Sequence, residues 1–523
     1  MEALRLFYIT RIIFLVIFLF LTSIVIAQSD SFEGYTLFNP NGSKTTYLIN
    51  MDGETAHIWN NNEGGGYSVY LLENGNILRP AQVSGAQLQG GASAGLVQEI
   101  EWDGTVAWEF EYSSSTYLAH HDIEPMPNGN VLIIAWEVKS ATEATAAGRS
   151  QSSEVWPDHI IEVEPVGSNG GNIVWEWHAW DHLIQDYDAN KANYGIVADH
   201  SELLDINLNL SDGRPGGGGD WLHINGISYN PELDQIVISS HYLDEIYVID
   251  HSTTTEEASG HSGGNAGKGG DILYRWGSPS NYGAPGDQYF DVVHCSYWIP
   301  SGLPGAGNIM AFNNGEGQHQ SEVIEIVPPN DGNGNYSYTA GSNYEPSSPI
   351  WAYSESSSFY SNHLGGCQRL SNGNTLISES TSGYLFEVTS EGEKVWEYQH
   401  SDEIARSLRY GFDYPGLFAL NATNVAIPEN VPTKFSIQNY PNPFNPSTTI
   451  KYELPVNGEV DLSVYNLLGQ KVITLVNEWK SAGSFQVVWD GVNSFGRKVS
   501  SGVYHYRLQL NQQIKTGQMI LIR

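Results

Sequence analysis

Between residues 28 and 420, apolar and polar positions alternate with a period of two. The runs are short and are separated by Asn, Gly, Asp and Pro, and helical spacing is nearly absent. A period of two puts alternate side chains on opposite faces of a strand, so the pattern predicts an all-β chain. Six times an apolar strand leads through a turn into an aromatic-ended strand: 47–59, 98–110, 160–164 with 172–177, 246–250 with 271–276, 323–327 with 349–351, and 385–398. Between them lie five further strand units near residues 70, 126, 228, 308 and 371. A sixth comes either from 34–38 or from the segment after Tyr398. Six four-stranded units predict a six-bladed β-propeller over 28–420, closed by pairing of the chain ends, which removes exposed sheet edges. Short alternating runs resume over 434–523, with Asn, Gly and Pro turns, and predict a small Ig-like β-sandwich. Residues 421–433 are then a linker. The glycine-rich tracts 216–219 and 259–270 lack the strand–turn–helix setting of a phosphate loop and read as loops, with no nucleotide implied.

The N-terminus departs from this alternation. Arg5 and Arg11 precede an apolar run over 12–26, followed by Ala27, with small Val25 two residues earlier. A core of about 15 apolar residues is short for a spanning helix and suits a cleaved signal peptide, here 1–27. The chain carries 59 acidic and 23 basic residues, a formal charge of −36. The acidic excess falls within 28–420, since the chain from residue 421 onward has more bases than acids. Such a surface repels a phosphate backbone and excludes nucleic acid as a partner. Two cysteines, Cys295 and Cys367, are too few for a disulfide framework; they form either one disulfide or two buried thiols. Neither they nor the histidines show the spacing of a metal site, so no metal or cofactor is expected.

Histidines carry the chemistry. His121, His223, His294 and His363 each stand a few residues before a turn that opens a β-rich run. In a ring, residues in equivalent phase converge on the axis, and four distant imidazoles become one site. An ordinary pKa of about 6.5 suits imidazole to acid–base and nucleophilic work near neutrality. His120 adjoins His121, and a one-residue shift decides which ring faces the axis.

Three segments carry a resemblance. They are Asp220-Trp-Leu-His-Ile-Asn-Gly with its continuation to His241 and His251, the run from His120 to Asn130, and the run from Gly302 through Leu303-Pro-Gly-Ala-Gly-Asn to Gly315. Together they resemble the bacterial arylsulfotransferases over roughly 35–415. That resemblance implies a six-bladed propeller that moves a sulfuryl group from an aryl sulfate to a phenol without a nucleotide donor. It implies that His294 is the nucleophile, passing through a sulfohistidine, and that His223 with His120 or His121 grips sulfate oxygens or protonates the leaving phenolate. The family usually carries an arginine where this chain has His241, which loses a permanently charged, bidentate oxyanion grip. Arg79 and Arg369 are candidates to replace it, and His363 and Asn225 are further candidates for substrate contact. A non-catalytic propeller that binds a glycan or protein and a sulfate-ester hydrolase are the competing readings. The C-terminal Tyr440-Pro-Asn-Pro-Phe-Asn-Pro446 and the strands after it resemble the type IX secretion sorting domain of Bacteroidetes-type bacteria. This implies passage through that machinery to the exterior or the outer-membrane surface.

Overall fold

The computed structural model describes residues 31–210, 219–420, 434–454, 458–480, 483–494, 497–510 and 513–522. The expected signal segment 1–27, the linker 421–433 and residues 216–218 of the first glycine tract lie outside them. The chain divides into two compact units, 1–419 and 420–523.

In the first unit, alternation has the predicted outcome of an all-β arrangement, with six four-stranded antiparallel sheets. The second sheet is Tyr70–Leu71, Ile77–Gln82, Gly95–Ile100 and Val106–Glu111; the third is Tyr117–Pro125, Val131–Glu137, Asp158–Val166 and Gly170–His178. The fourth is Ile224–Asn230, Gln235–Ser240, Glu245–Asp250 and Tyr274–Trp276; the fifth is Val293–Trp298, Ile309–Asn313, Glu322–Ile326 and Trp351–Tyr353. The sixth is Gly366–Arg369, Thr375–Glu379, Tyr384–Val388 and Lys394–Gln399. The first sheet combines both ends of the unit: Ile404–Gly411 pairs antiparallel with Gly34–Pro40, which continues into Thr45–Ile49 and Thr55–Asn60. The segment after Tyr398 therefore supplies the strand left open by the sequence, with 34–40 as its neighbour. Short helical segments interrupt the β pattern among the described residues. One, Ala141–Ala147, starts at a Ser140/Glu143 capping box.

Each sheet's first strand is largely buried; all six residues of Val293–Trp298 are buried. These strands pack in succession: Tyr117–Pro125 on Ile224–Asn230, then Val293–Trp298, Gly366–Arg369 and Ile404–Gly411. The last returns to the second sheet, where Arg406 Nη1 donates to Tyr70 Oη at 3.0 Å and Tyr410 Oη accepts from Leu71 N at 2.9 Å. Apolar clusters fill the spaces between consecutive sheets. Leu78, Val97 and Trp108 meet Ile123, Ile133 and Ile161 in one, and Phe38 and Ile49 meet Leu385 in another.

The aromatic-ended fourth strands have a specific purpose. Each presents a tryptophan whose indole N–H donates to a backbone carbonyl of the following sheet. Trp59 reaches Glu101, Trp108 reaches Gly170 and Trp177 reaches Gly270, at 2.7–3.1 Å. Trp276 reaches Pro346 and Trp351 reaches Ser390 at 2.7 and 2.9 Å, and Trp396 returns to Met51 of the first sheet at 2.7 Å. A large apolar ring fills the inter-sheet space while its one polar atom satisfies a carbonyl. The latches form a closed cycle. Between the sixth and first sheets it is reinforced by the fully buried Arg409–Glu387 ion pair.

The second unit has two sheets: Ser436–Tyr440, Thr448–Leu454 and Gly483–Trp489, and Gly458–Asn466, Lys471–Lys480, Gly502–Leu510 and Gln513–Leu521. Ile450, Leu454, Leu462, Leu508 and Met519 share one core.

The closing contacts predict graded losses. Trp396→Phe removes one hydrogen bond and keeps an aromatic ring, lowering stability by about 1–2 kcal/mol. Glu387→Ala strands Arg409 as an unpaired buried cation and costs about 3–5 kcal/mol. Denaturant midpoints of the two variants check this order; equal midpoints would contradict it.

Candidate active site

Several of the first strands contain a bulge, and those of the third, fourth and fifth sheets lie at histidines. Pairing between the first two strands of the third sheet shifts register between Ala119 and Ile123, and His121 within that gap has φ of 51°. In the fourth sheet the shift falls between Ile224 and Gly226, just after His223 with φ of 53°. In the fifth it falls between His294 and Tyr297, with Cys295 at φ of 52°. A left-handed conformation in a non-glycine residue costs of order 1–3 kcal/mol and persists only where surrounding structure imposes it. Each bulge breaks the strict two-residue alternation and re-aims a side chain.

The result is a cavity of about 270 Å³ lined by His121, His223, His241, His294 and His363, with Tyr67, Gln82, Asn41, Leu364 and backbone at Gly91–Ser93. The rings touch in series. His121 and His223 lie 4.4 Å apart between centroids, His223 and His241 4.9 Å, and His241 and His294 5.2 Å. Tyr67 lies nearly parallel to His294 at 6.3 Å, its hydroxyl donating to Gly365 O at 2.6 Å.

The partners of two histidines define their hydrogens. Asn314 Nδ2 donates to the carbonyls of Ser361 and Leu364 at 2.8 and 2.6 Å, which fixes its amide and leaves Oδ1 as an acceptor. His294 Nδ1 lies 2.6 Å from that Oδ1 and donates to it. The lone pair is therefore on Nε2. Burial, the largest cause, outweighs the Asn314 bond and holds the His294 pKa down at about 3, with His223 and His363 adding to the depression. His223 Nδ1 faces the Asp220 carboxylate at 2.5 Å, and the other oxygen of Asp220 accepts from Trp136 Nε1 at 3.1 Å. Such a carboxylate orients an imidazole and stabilises its protonated form.

The bulge also decides between the adjacent histidines. His121 lines the cavity; His120 lies behind it, stacked on Trp136 at 3.9 Å, with Nε2 2.9 Å from Asp158. The two Nδ1 atoms share a hydrogen bond of 2.7 Å. Burial drives both pKa values well below 6.5, with His223 contributing second in each case. His363 sits at the edge of the cavity with its side chain 46% exposed, bonded to Asn362 and 3.6 Å from Glu403.

Three expected substrate contacts lie elsewhere. Arg79 is buried in the second sheet, where Nη2 donates to Glu63 O and Gln98 Oε1, and burial lowers its pKa to about 10. Arg369 pairs with Glu325 at 2.7 Å and lines a different cavity of about 330 Å³ with Tyr297 and Arg406. Neither guanidinium replaces the absent arginine, and no arginine or lysine is among the described residues lining the histidine cavity. Asn225 is fully buried; its Nδ2 donates to Val293 O at 2.7 Å and its Oδ1 accepts from Ser239, so it supports the strand that carries His294. Cys295 and Cys367 are buried free thiols rather than a disulfide.

Tyr67 and Asn314 escaped the sequence reading. Asn314 lies in a quoted motif, but its amide acts across to the loop before the sixth sheet, which spacing does not disclose. Tyr67 has no local signal. Asp220, three residues before His223, was visible in the Asp-Trp-Leu-His run.

No match to a curated protein sequence was found. The chain is similar in structure to a protein of unknown function from Bacteroides caccae: 12% identity, TM-score 0.40, covering 72% of this chain and 98% of that one. It is also similar to apo AztD from Citrobacter koseri, at 9% identity and TM-score 0.31, covering 73% and 99%. Virginiamycin B lyase from Staphylococcus aureus gives 10% and 0.33, covering 72% and 87%. Likenesses at such scores decide neither fold nor activity. The family models are specific: arylsulfotransferase (ASST) matches residues 26–412, and the secretion system C-terminal sorting domain matches 438–523. The sorting domain supports secretion or display at the cell surface of a Bacteroidetes-type bacterium. By a match spanning most of its length, the chain belongs to the arylsulfotransferase family.

Proposed function

We propose that the protein is an exported aryl-sulfate sulfotransferase in which His294 carries the sulfuryl group. The observation that carries this reading is the bond from His294 Nδ1 to Asn314, which leaves an unprotonated Nε2 on a ring kept neutral by burial. A neutral imidazole is a competent nucleophile at pH 7. In the first half-reaction Nε2 attacks sulfur, the N–S bond forms, the S–O bond to the aryl group breaks, and the departing phenolate takes a proton from His223. In the second half-reaction an acceptor phenol returns a proton to His223 as its oxygen takes the sulfuryl group from His294. The Asp220 carboxylate, facing His223 Nδ1, orients the ring for that proton transfer. Sulfuryl transfer, like phosphoryl transfer, places charge on the oxygens of the moving group and depends on hydrogen-bond donors aimed at them. His121, His241 and His363 border the same cavity and take that part. Imidazole N–H donors take the place of the family's usual guanidinium.

The architecture is read as a six-bladed propeller over 28–420 and an Ig-like sandwich over 434–523, joined by the linker 421–433 and preceded by a signal peptide, 1–27. The ordered sheets, the pairing of Ile404–Gly411 with Gly34–Pro40 and the cycle of tryptophan latches support the ring. The partners are a phenolic donor, a phenolic acceptor and, through the C-terminal unit, the type IX secretion machinery.

Two outcomes test the chemistry. His294→Ala lowers kcat/KM for transfer from a chromogenic aryl sulfate to phenol by about 10³-fold or more, as loss of a nucleophile does, and His223→Ala lowers it by about 10²–10⁴-fold. Release of free sulfate at a rate indifferent to phenol would instead indicate a hydrolase. The pH profile gives the second. With a pKa held at about 3, His294 is protonated in the free enzyme only at or below that pH, so kcat/KM has no acidic limb at 6.5 arising from the nucleophile. Initial rates from pH 4 to 8, on protein verified as folded by circular dichroism, check this; an acidic limb at 6.5 that persists in the His121, His223, His241 and His363 variants would contradict it.

A further inference from the structure

Three side chains remote in sequence meet beside the latch between the third and fourth sheets. His182 follows the short turn after Gly170–His178, and His261 and Asp271 stand at the two ends of the glycine-rich loop. His182 Nδ1 lies 2.8 Å and His261 Nδ1 2.7 Å from the same oxygen, Asp271 Oδ1. One donor atom from each of the three residues falls within 4.8 Å of the other two.

The hydrogens of His182 point to an occupant. Its Nε2 lies 2.8 Å from the carbonyl of Ala258, which only accepts, so Nε2 carries a hydrogen. In the neutral ring Nδ1 then holds a lone pair, and that lone pair faces a carboxylate oxygen. Two acceptors at 2.8 Å are reconciled either by a second proton on the ring or by a metal ion between them, and the third donor atom, from His261 at 2.7 Å from the same oxygen, favours the metal. His182 is fully buried and parallel to Trp177 at 5.8 Å, so the ring has no freedom to turn away. Gly270 fits closely against it: a Cβ there would stand 2.6 Å from His182 Nε2 and 2.0 Å from Ala258 O. A ligand histidine whose second nitrogen donates to a backbone carbonyl is the usual outer arrangement at metal centres, because it fixes the tautomer and raises ligand basicity.

We propose that His182, His261 and Asp271 bind a divalent transition metal, with zinc the best match to two imidazole nitrogens and one carboxylate. The histidines donate through Nδ1 and Asp271 through Oδ1. The ion ties the glycine-rich loop of the fourth sheet to the segment following the third, beside the carbonyl of Gly270 that receives Trp177. It is separate from the histidine cavity and takes no part in sulfuryl transfer.

The test is titration of chelator-treated, full-length protein with Zn²⁺ by calorimetry and with Co²⁺ by visible absorption. Binding saturates at one equivalent, shows the visible absorption of four-coordinate Co²⁺, and raises the Tm as metal is added. His261→Ala alters an exposed side chain and weakens binding at least tenfold; Asp271→Asn does the same, and His223→Ala in the cavity leaves it unchanged. Absence of saturable binding overturns the proposal and leaves a proton on His182 Nδ1. Equal binding by wild type and His261→Ala, or loss in His223→Ala alone, overturns it in favour of the cavity.

Discussion

Six indole hydrogen bonds, each from the outer strand of one sheet to a carbonyl of the next, hold the first unit in a cycle. A four-stranded sheet has two apolar faces and cannot bury both alone; each becomes stable when its neighbours cover them. The tryptophans accomplish this at little polar cost, filling the gap while the indole N–H is satisfied by a backbone carbonyl. The cycle closes because Trp396 returns to Met51 and Arg409 on the last strand finds Glu387. Everything at the centre depends on that closure, since the histidines come from separate sheets and meet only if the first strands are held side by side.

The centre works against the ordinary rules of strands. His121, His223 and Cys295 occupy left-handed backbone, a cost sustained by the packing around them. In return, side chains that alternation would direct elsewhere converge on one cavity. Burial then removes charge: His294 and His121 are neutral at pH 7, which suits a nucleophile but provides no fixed cation for an anionic substrate. The strongly acidic chain adds no attraction. In the proposed reaction, recognition of the sulfate rests on donated hydrogens and on His223, whose Nδ1 faces the Asp220 carboxylate.

Much of this was legible in the sequence for physical reasons. A period of two in short runs gives strands, and the aromatic ends of the outer strands mark the latches, although their hydrogen bonds to the following sheet were not foreseen. His121, His223, His294 and His363 border one cavity because each lies within or just ahead of a first strand, His121 and His294 inside theirs and His223 and His363 one and three residues before theirs. Contacts set by tertiary closure were not legible. Choosing His121 over His120 required the bulge, which inverts the alternation locally. Arg79 and Arg369 lie near inner strands in sequence, yet both are turned into polar contacts of their own sheets or loops. Tyr67 and Asn314 act across sheets, and His182, His261 and Asp271 meet only through the fold of a glycine-rich loop.

The most direct test of the account is the site of covalent attachment. Protein mixed briefly with an aryl sulfate and quenched at alkaline pH, where a sulfuryl–imidazole bond is preserved, is digested and mapped by mass spectrometry. The account predicts a single sulfuryl group on His294, absent from His294→Ala and discharged by added phenol. A protein that turns over aryl sulfate while carrying the group on another residue, or on none, would contradict it.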